Sequence, residues 1–277
     1  MRQLEGRVVA ITGAASGIGR ATATALAERG CVVAAADVDA DGLASLADAI
    51  GCSTHLVDVS DGEAVQAWAD ELAAVHPAVH VAINNAGLTV GKAFDDHTLE
   101  DWERVIGVNL WGVIHGCRAF LPLLRAADRG HLVNISSVFG ITAVPSQAAY
   151  CTSKFAVRGL SEVLWEELRG TNVGVTVVHP GGVKTGIAAS AVMDDAEAHA
   201  RLVRFFDRHA MSPRRVAERI VRAIEQDRPR VLVTREAYML DALRRLAPIL
   251  GNRLGAATVM KSMGLQRVVD KRRAELS

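Results

Sequence analysis

The sequence predicts an α/β fold built on a doubly wound parallel sheet, and three observations support this prediction. Short apolar runs, such as residues 7–12, alternate with longer amphipathic segments along most of the chain. The first run ends in a glycine-rich loop that leads into an alanine-rich segment. The composition, 50% hydrophobic and 22% charged over 277 residues, suits one large α/β domain. We therefore expect a single domain over residues 1–277, with helices on both faces of the sheet.

The apolar patterns place the elements in order along the chain. The predicted strands are 7–12, 31–36, 54–57, 79–83, 131–135, 173–178 and 230–234. The predicted helices are 20–29, 41–50, 60–75 (with Ser60 as N-cap), 99–126, 148–169 and 213–227. Residues 186–212, the lid segment, have a poorly defined helical pattern and are expected to cover the substrate side of the sheet edge. Residues 235–277 are expected to form a C-terminal helical extension.

The charge balance and the cysteines argue against several classes of protein. The formal net charge is +0, which gives no bias toward nucleic acid or an anionic membrane. The four cysteines are scattered and no histidines cluster with them, so we expect no metal site. With no signal peptide and no apolar run of about 18 residues, we expect a cytoplasmic protein with reduced thiols.

Residues 12–19 read TGAASGIG and form a candidate phosphate-binding loop. Glycine lets the backbone approach a ligand, and the helix that follows presents free N–H groups to an anion. Glycines also simply turn chains, and the G-x-x-x-G-x-G spacing differs from the commoner G-x-G-x-x-G, so the loop alone is weak evidence. The candidate contacts here are Gly13, Ser16, Gly17, Ile18 and Gly19.

Polar residues also follow the other predicted strands. Asp37 stands where an acid accepts hydrogen bonds from an adenosine ribose, unless it caps the next helix in place of Asp39 or Asp41. Asp58 ends the third strand, where an acid can meet an adenine amino group. The paired asparagines at 84–85 either form a turn or hold strand ends and contact a ligand. The remaining candidate contacts are Val59, Asn85, Ala86, Gly87, Pro180, Gly181, Val183 and Thr185.

Residues 134–154 carry candidate acid/base chemistry. Tyr150 and Lys154 stand four residues apart and would share one face of a helix. An ammonium beside a phenol lowers the phenol pKa from its ordinary value of about 10 and makes it a useful acid and base. Ser137, at the end of a predicted strand, can hydrogen-bond a substrate oxygen. Asn109 lies inside a predicted helix, so it either bonds back to the backbone or reaches the active site through water.

Together these residues resemble the short-chain dehydrogenase/reductase family over residues 6–234. The resemblance rests on TGAASGIG, Asp37, Asp58, NNAG at 84–87, Asn109, Ser137, the YxxxK pair and Pro180-Gly181 with Thr185. It implies a Rossmann-type sheet of seven strands in the order 3-2-1-4-5-6-7. It also implies hydride transfer to or from a nicotinamide cofactor.

The resemblance further implies roles for individual residues. Tyr150 would be the acid/base, and Lys154 would lower its pKa and bind the nicotinamide ribose. Ser137 would polarise the substrate oxygen, and Asn109 would hold a water that links Lys154 to solvent. Thr185 would bind the cofactor's carboxamide.

The predicted activity is the NAD-dependent interconversion of an alcohol and a ketone or aldehyde. A hydrophobic secondary alcohol is the favoured substrate. An acid at Asp37 and the absence of a base at Ser16 favour NAD over NADP. A dehydratase or epimerase that uses hydride transfer as one step remains an alternative, although such enzymes usually have longer chains. A cofactor-binding regulatory protein is the other alternative, and the intact catalytic set argues against it.

The resemblance also implies a homotetramer or homodimer through the helices that carry Asn109 and Tyr150. The candidate interface residues are Trp111, Phe120, Leu121, Leu160, Val163 and Leu164. The apolar residues of the lid segment either line the substrate pocket or form only the core of the lid helices. They are Ile187, Val192, Met193, Leu202, Val203, Phe205 and Phe206. Val138, Phe139, Val144 and Gln147 are further candidates for lining the pocket.

The chain from 228 to 277 carries eleven Lys/Arg residues and four Asp/Glu residues. Its apolar residues repeat at helical spacing, interrupted by Pro248: Met239, Leu243, Leu246, Leu250 and Leu254. We expect this stripe to pack on protein, partly over the substrate mouth or at a subunit interface, rather than to anchor the chain to lipid. A membrane surface or an apolar substrate is the alternative partner.

Overall fold

Seven parallel strands form the central sheet of the computed structural model, which describes residues 1, 3–187, 189, 191–193 and 195–262. Two further short strands lie outside this sheet. In chain order the strands are β1 (Val8–Thr12), β2 (Val32–Asp37), β3 (Ser53–Leu56), β4 (Val81–Asn84), β5 (Val90–Gly91), β6 (Gly130–Ile135), β7 (Val173–His179), β8 (Val192–Met193) and β9 (Arg230–Leu232). The sheet order is β3-β2-β1-β4-β6-β7-β9, and β5 pairs with β8 outside the sheet. When only the strands of this sheet are numbered, the order is 3-2-1-4-5-6-7, so the predicted order is confirmed.

Helices cover both faces of the sheet, as predicted. They are α1 (Gly17–Ala27), α2 (Ala40–Ile50), α3 (Gly62–Val75), α4 (Leu99–Ile106), α5 (Gly112–Ala126), α6 (Ala148–Glu167), α7 (Ala196–His209), α8 (Pro213–Gln226), α9 (Arg235–Leu246) and α10 (Pro248–Ser262). Successive side chains of β1 point to opposite faces. Val9 and Ile11 therefore join one core with α1 and α8, while Val8 and Ala10 join the other with α3, α5 and α6.

The predicted helix over 99–126 is interrupted at Asn109. Residues Gly107–Trp111 form a π-helical turn between α4 and α5, which accommodates the buried asparagine. Two smaller expectations are also wrong. Asp61, not Ser60, caps α3, because the Ser60 hydroxyl instead donates to Asp58. Phe120 is buried against Trp68 in the core and offers no surface for a second subunit.

The C-terminal helices expose most of the predicted apolar stripe. Leu240 on α9 is buried, but Leu246 and Leu250 retain 86% and 57% of their accessible surface. The single chain therefore leaves this stripe largely uncovered, while Met260 of α10 packs inward against Val144, Cys151 and Leu202. Residues 263–277 of the predicted extension lie outside the described residues. Among the residues that the structure does describe, no helix has the length and hydropathy that a membrane crossing requires.

Candidate active site

A cleft of ≈ 780 Å³ opens where the strands β1, β2, β4, β6 and β7 end. Parallel strands bring the loops at their carboxyl ends to one sheet edge, so residues distant in sequence meet there. The predicted site residues that line the cleft are Gly13, Ser16, Gly17, Ile18, Asp37, Asp58, Val59, Asn85, Ala86, Gly87, Ser137, Tyr150, Lys154, Pro180, Gly181, Val183 and Thr185. Gly19 and Asn109 lie behind its wall and support it.

The glycine loop approaches the loop after β4 closely. A Cβ added to Gly13 would lie 2.8 Å from the Ala86 Cα, and one added to Gly19 would collide with the Gly13 carbonyl oxygen. Asn85 Nδ2 donates to the carbonyls of Thr12 and Gly13 at 2.9 and 3.0 Å, so it holds this loop in place. Asn85 therefore has the holding role that the sequence left open.

Asp37 is held at the cleft by main-chain donors. Its carboxylate accepts from the N–H groups of Ala15 at 2.9 Å and Val38 at 2.8 Å. Asp39, rather than Asp37, caps α2 by accepting from Gly42. The alternative that Asp37 is merely a helix cap is therefore wrong, and its carboxylate is fixed beside the glycine loop.

The loops after β6 and β7 are fastened to each other behind Ser137. The N–H of Val138 donates to the Pro180 carbonyl at 2.9 Å, and His179 Nδ1 donates to the Ser137 carbonyl at 3.0 Å. His179 is fully buried, and burial lowers its pKa to about 4, so its ring is neutral at physiological pH. Neighbouring Ser136 also lines the cleft, but its hydroxyl is committed to the Lys154 carbonyl, to which it donates at 2.8 Å. Ser137 is thus the serine available to a ligand.

Tyr150 and Lys154 share one face of α6, as the spacing predicts. The Lys154 ammonium lies 5.7 Å from the Tyr150 ring centroid and donates to the Ile135 carbonyl at 3.0 Å. Burial lowers the pKa of Lys154 to about 8.

The expectation that Tyr150 has a lowered pKa is wrong. Burial raises its pKa to about 12, and a hydrogen bond with the Ser137 side chain opposes this shift only in part. The physical reason is that the buried phenolate would lose water, while the Lys154 ammonium donates to the Ile135 carbonyl and lies over the Tyr150 ring.

Asn109 is fully buried and clasps the chain beside the cleft. Its Oδ1 accepts from the Leu88 N–H at 2.8 Å, and its Nδ2 donates to the Leu88 carbonyl at 2.9 Å and to Ser153 Oγ at 3.2 Å. The sequence left open whether this asparagine bonds to the backbone or reaches the site through water. The side chain of Asn109 bonds to the backbone of Leu88. Its Oδ1 and the Lys154 Nζ also both lie next to Gly87.

The part of the cleft beyond Tyr150 is lined mainly by apolar side chains. We call this part the substrate half, and it contains Val138, Phe139, Val144, Pro145, Ile187, Met193, Leu202, Phe206 and Met260. Of the predicted lid residues, Val192, Val203 and Phe205 do not line it.

Several cleft residues escaped the sequence analysis. Thr89 and Gly91 follow the NNAG motif directly, so their nearness to it was a usable signal. Ser146 lies just before α6 with φ +63, a conformation unusual for a serine. Met260 had no local signal, because only the return of α10 across the fold brings it to the cleft.

Comparison with known proteins agrees with this geometry. Residues 7–196, more than half of the chain, match the sequence profile of the short chain dehydrogenase family. The chain belongs to the short chain dehydrogenase family. It is 44% identical over 270 residues to SadH of Mycobacterium tuberculosis, which is named as an oxidoreductase, with 94% of this chain and 98% of SadH covered. An oxidoreductase activity is therefore supported.

Two further relatives of this short chain dehydrogenase are better defined in their ligands. D-threitol dehydrogenase of Mycolicibacterium smegmatis is 36% identical over 194 residues, covering 68% of this chain and 75% of that enzyme. A short chain dehydrogenase/reductase from Burkholderia phymatum, solved in complex with NAD, has a TM-score of 0.83 and 35% identity. That match covers 90% of this chain and 96% of the other. The described residues contain no group of three or more His, Cys, Asp or Glu arranged to hold a metal ion.

Proposed function

We propose that this protein is an NAD-dependent oxidoreductase that interconverts an alcohol, preferably a hydrophobic secondary alcohol, and a ketone or aldehyde. The observation that carries the proposal is the meeting of Ser137, Tyr150 and Lys154 in the cleft that the glycine loop also lines. The apolar substrate half supports the preference for a hydrophobic substrate. The four free cysteines suit a reducing compartment, and we place the enzyme in the cytoplasm.

The residues of the cleft fit a dinucleotide. Gly13 and Gly17 have φ of +65° and +55°, and α1 begins at Gly17 without a side-chain cap at Ser16. The first N–H groups of α1 therefore remain available to a pyrophosphate. The Asp37 carboxylate, fixed by Ala15 and Val38, suits a ribose diol. Pro180, Gly181, Val183 and Thr185 would flank the nicotinamide end.

In the oxidative direction, Tyr150 as its phenolate would take the hydroxyl proton of the substrate. A bound NAD would supply the acceptor for the hydride of the carbinol carbon, which becomes a carbonyl carbon. Ser137 would donate a hydrogen bond to the substrate oxygen as its charge changes. Lys154 would bind the nicotinamide ribose and, with a pKa near 8, still carry positive charge at neutral pH. That charge, over the phenol ring, would oppose the effect of burial on the pKa of Tyr150.

A screen of alcohols and ketones tests the proposed activity. Reduced nicotinamide is followed by its absorbance, with NAD and NADP in parallel. Turnover of secondary alcohols or their ketones is expected, with apolar compounds preferred. A protein that binds NAD but turns over no alcohol, ketone or aldehyde in the screen would contradict the proposal and favour a regulatory role.

The cofactor preference depends on Asp37. We expect kcat/KM to be about tenfold or more higher with NAD than with NADP, because a 2′-phosphate would bring a second negative charge against a desolvated carboxylate. Arg20, the cation nearest in sequence to the glycine loop, already donates to the carbonyls of Gly42 and Ser45. Asp37→Ala should narrow the preference, whereas Asp39→Ala, which removes only the α2 cap, should leave it unchanged. A wild-type preference for NADP would refute this assignment.

We also propose a homotetramer or homodimer, assembled through α5 and α6. Trp111 and Val163 retain 52% and 53% of their accessible surface although they are large and apolar. Light scattering at micromolar concentration should give a dimer or tetramer mass, and Trp111→Ser with Val163→Asp should lower it. Leu56→Ser, at the exposed edge strand β3, is the matched control. A monomer mass for the wild type would contradict the proposal.

A further inference from the structure

Gln147 is a polar residue of the cleft to which the proposed chemistry assigns no role. It lies immediately before α6, three residues ahead of Tyr150, and both residues line the cleft. Its Oε1 accepts a hydrogen bond from Thr89 Oγ1 at 2.8 Å. Because Asn109 clasps Leu88, the neighbour of Thr89, the amide is anchored to a fixed part of the fold.

The other end of the same amide is available to a ligand. With Oε1 committed to Thr89, Nε2 is left as a donor, and Gln147 lines the cleft. A Cβ added to Gly91 would lie 3.2 Å from Nε2 and 3.0 Å from Met193 Cγ. The Nε2 group therefore lies over the glycine of β5, next to the lid strand β8, and a larger residue at 91 would crowd it.

The surroundings make this donor selective. The side chains that complete the substrate half, such as Val144, Met193, Leu202 and Met260, are apolar. A wholly apolar substrate would cover Nε2 and leave it without a partner, so it would bind with an unfavourable desolvation cost. A substrate with an oxygen at this point avoids that cost. The substrate half is therefore better matched to a molecule with one acceptor group than to a plain hydrocarbon chain.

We propose that Gln147, oriented by Thr89, forms a polar subsite for a second oxygen of the substrate. The substrate class is then an apolar alcohol or ketone with a carbonyl, ester or hydroxyl oxygen within about three carbons of the reacting carbon. The spacing is kept short because Gln147 and Tyr150 are only three residues apart in the chain and line the same cleft. This inference rests on the proposed alcohol/ketone activity and narrows its substrate.

A matched pair of ketones tests the subsite. Methyl 3-oxohexanoate and octan-4-one have the same chain length and the same position of the reacting carbonyl, but only the first carries an ester. We expect the wild type to reduce the keto ester with at least about tenfold higher kcat/KM, the effect of one well-placed hydrogen bond. In Gln147→Met the keto ester should lose about tenfold, mostly through KM, while octan-4-one should gain rather than lose, because it no longer covers an unpaired donor.

Two further variants separate the donor from its support. Gln147→Glu keeps the acceptor for Thr89 but removes the donor, so it should also lose the preference for the keto ester. Thr89→Val keeps the Gln147 amide but removes the hydroxyl that orients it, so the preference for the keto ester should shrink rather than vanish. Retention of the full preference in Gln147→Glu would overturn the assignment of Nε2 as the donor.

The outcomes distinguish this inference from the proposed function. Equal loss on both ketones in Gln147→Met, or a wild type that prefers octan-4-one, would overturn the subsite and leave the oxidoreductase proposal standing. No reduction of either ketone by a wild-type protein that binds NADH would overturn the subsite, and the absence of any turnover in the broader screen would overturn both. Reduction of both compounds, with the selective loss described above, would support both.

Discussion

Tyr150→Phe is expected to abolish turnover while cofactor binding persists. The substitution removes the only hydroxyl that can exchange a proton with the substrate oxygen in the proposed mechanism, and general acid/base catalysis contributes about 10²–10⁴-fold. The ring that forms the cleft wall stays in place, edge-on to Phe139 at a centroid distance of 6.0 Å. A fall of about 10³-fold in kcat, with an unchanged dissociation constant for NADH by fluorescence, is the expected result.

The chain has only two tyrosines, which provides a matched control. Tyr238 lies on α9 with 55% of its surface exposed and does not line the cleft. Tyr238→Phe should therefore keep wild-type kcat and KM. A Tyr150→Phe enzyme with near-wild-type kcat would remove Tyr150 from the mechanism.

Asn109→Ala should produce the second large effect, on both stability and activity. It removes the side-chain partner of the N–H and the carbonyl of the half-buried Leu88, which costs up to roughly 1–3 kcal/mol for each group. The segment that carries Gly87 and Thr89 would then lose its anchor, and a displacement of about 1 Å in a catalytic site can cost about 10²-fold in rate. We expect a lower free energy of unfolding in urea together with a marked loss of kcat/KM.

Asn172→Ala separates these two consequences. Asn172 also bonds to the backbone twice, donating to the carbonyls of Arg125 and Ala127 at 3.1 and 2.7 Å, but it does not line the cleft. It should lower stability with little change in kcat/KM for the folded enzyme. If Asn109→Ala lowered stability and left kcat/KM unchanged, its role would be structural alone.

The sequence by itself determined the architecture and most of the cleft. The strands, the glycine loop and the Tyr150/Lys154 pair each depend on residues close together in the chain, where backbone geometry sets the period at 2 or 3.6 residues. Since parallel strands end at one edge, residues that follow strands, such as Asp37 and Gly87, could be assigned to a common site before their contacts were known.

Only the tertiary structure decided what surrounds those residues. Gln147 bonds to Thr89, which is 58 residues away in sequence, and Asn109 bonds to Leu88, which is 21 residues away. The pKa of Tyr150 follows from burial by several elements and not from Lys154 alone, which is why its predicted direction was wrong. Met260 reaches the cleft because α10 folds back across it. Each of these features depends on packing between distant segments, and short-range periodicity carries no information about such packing.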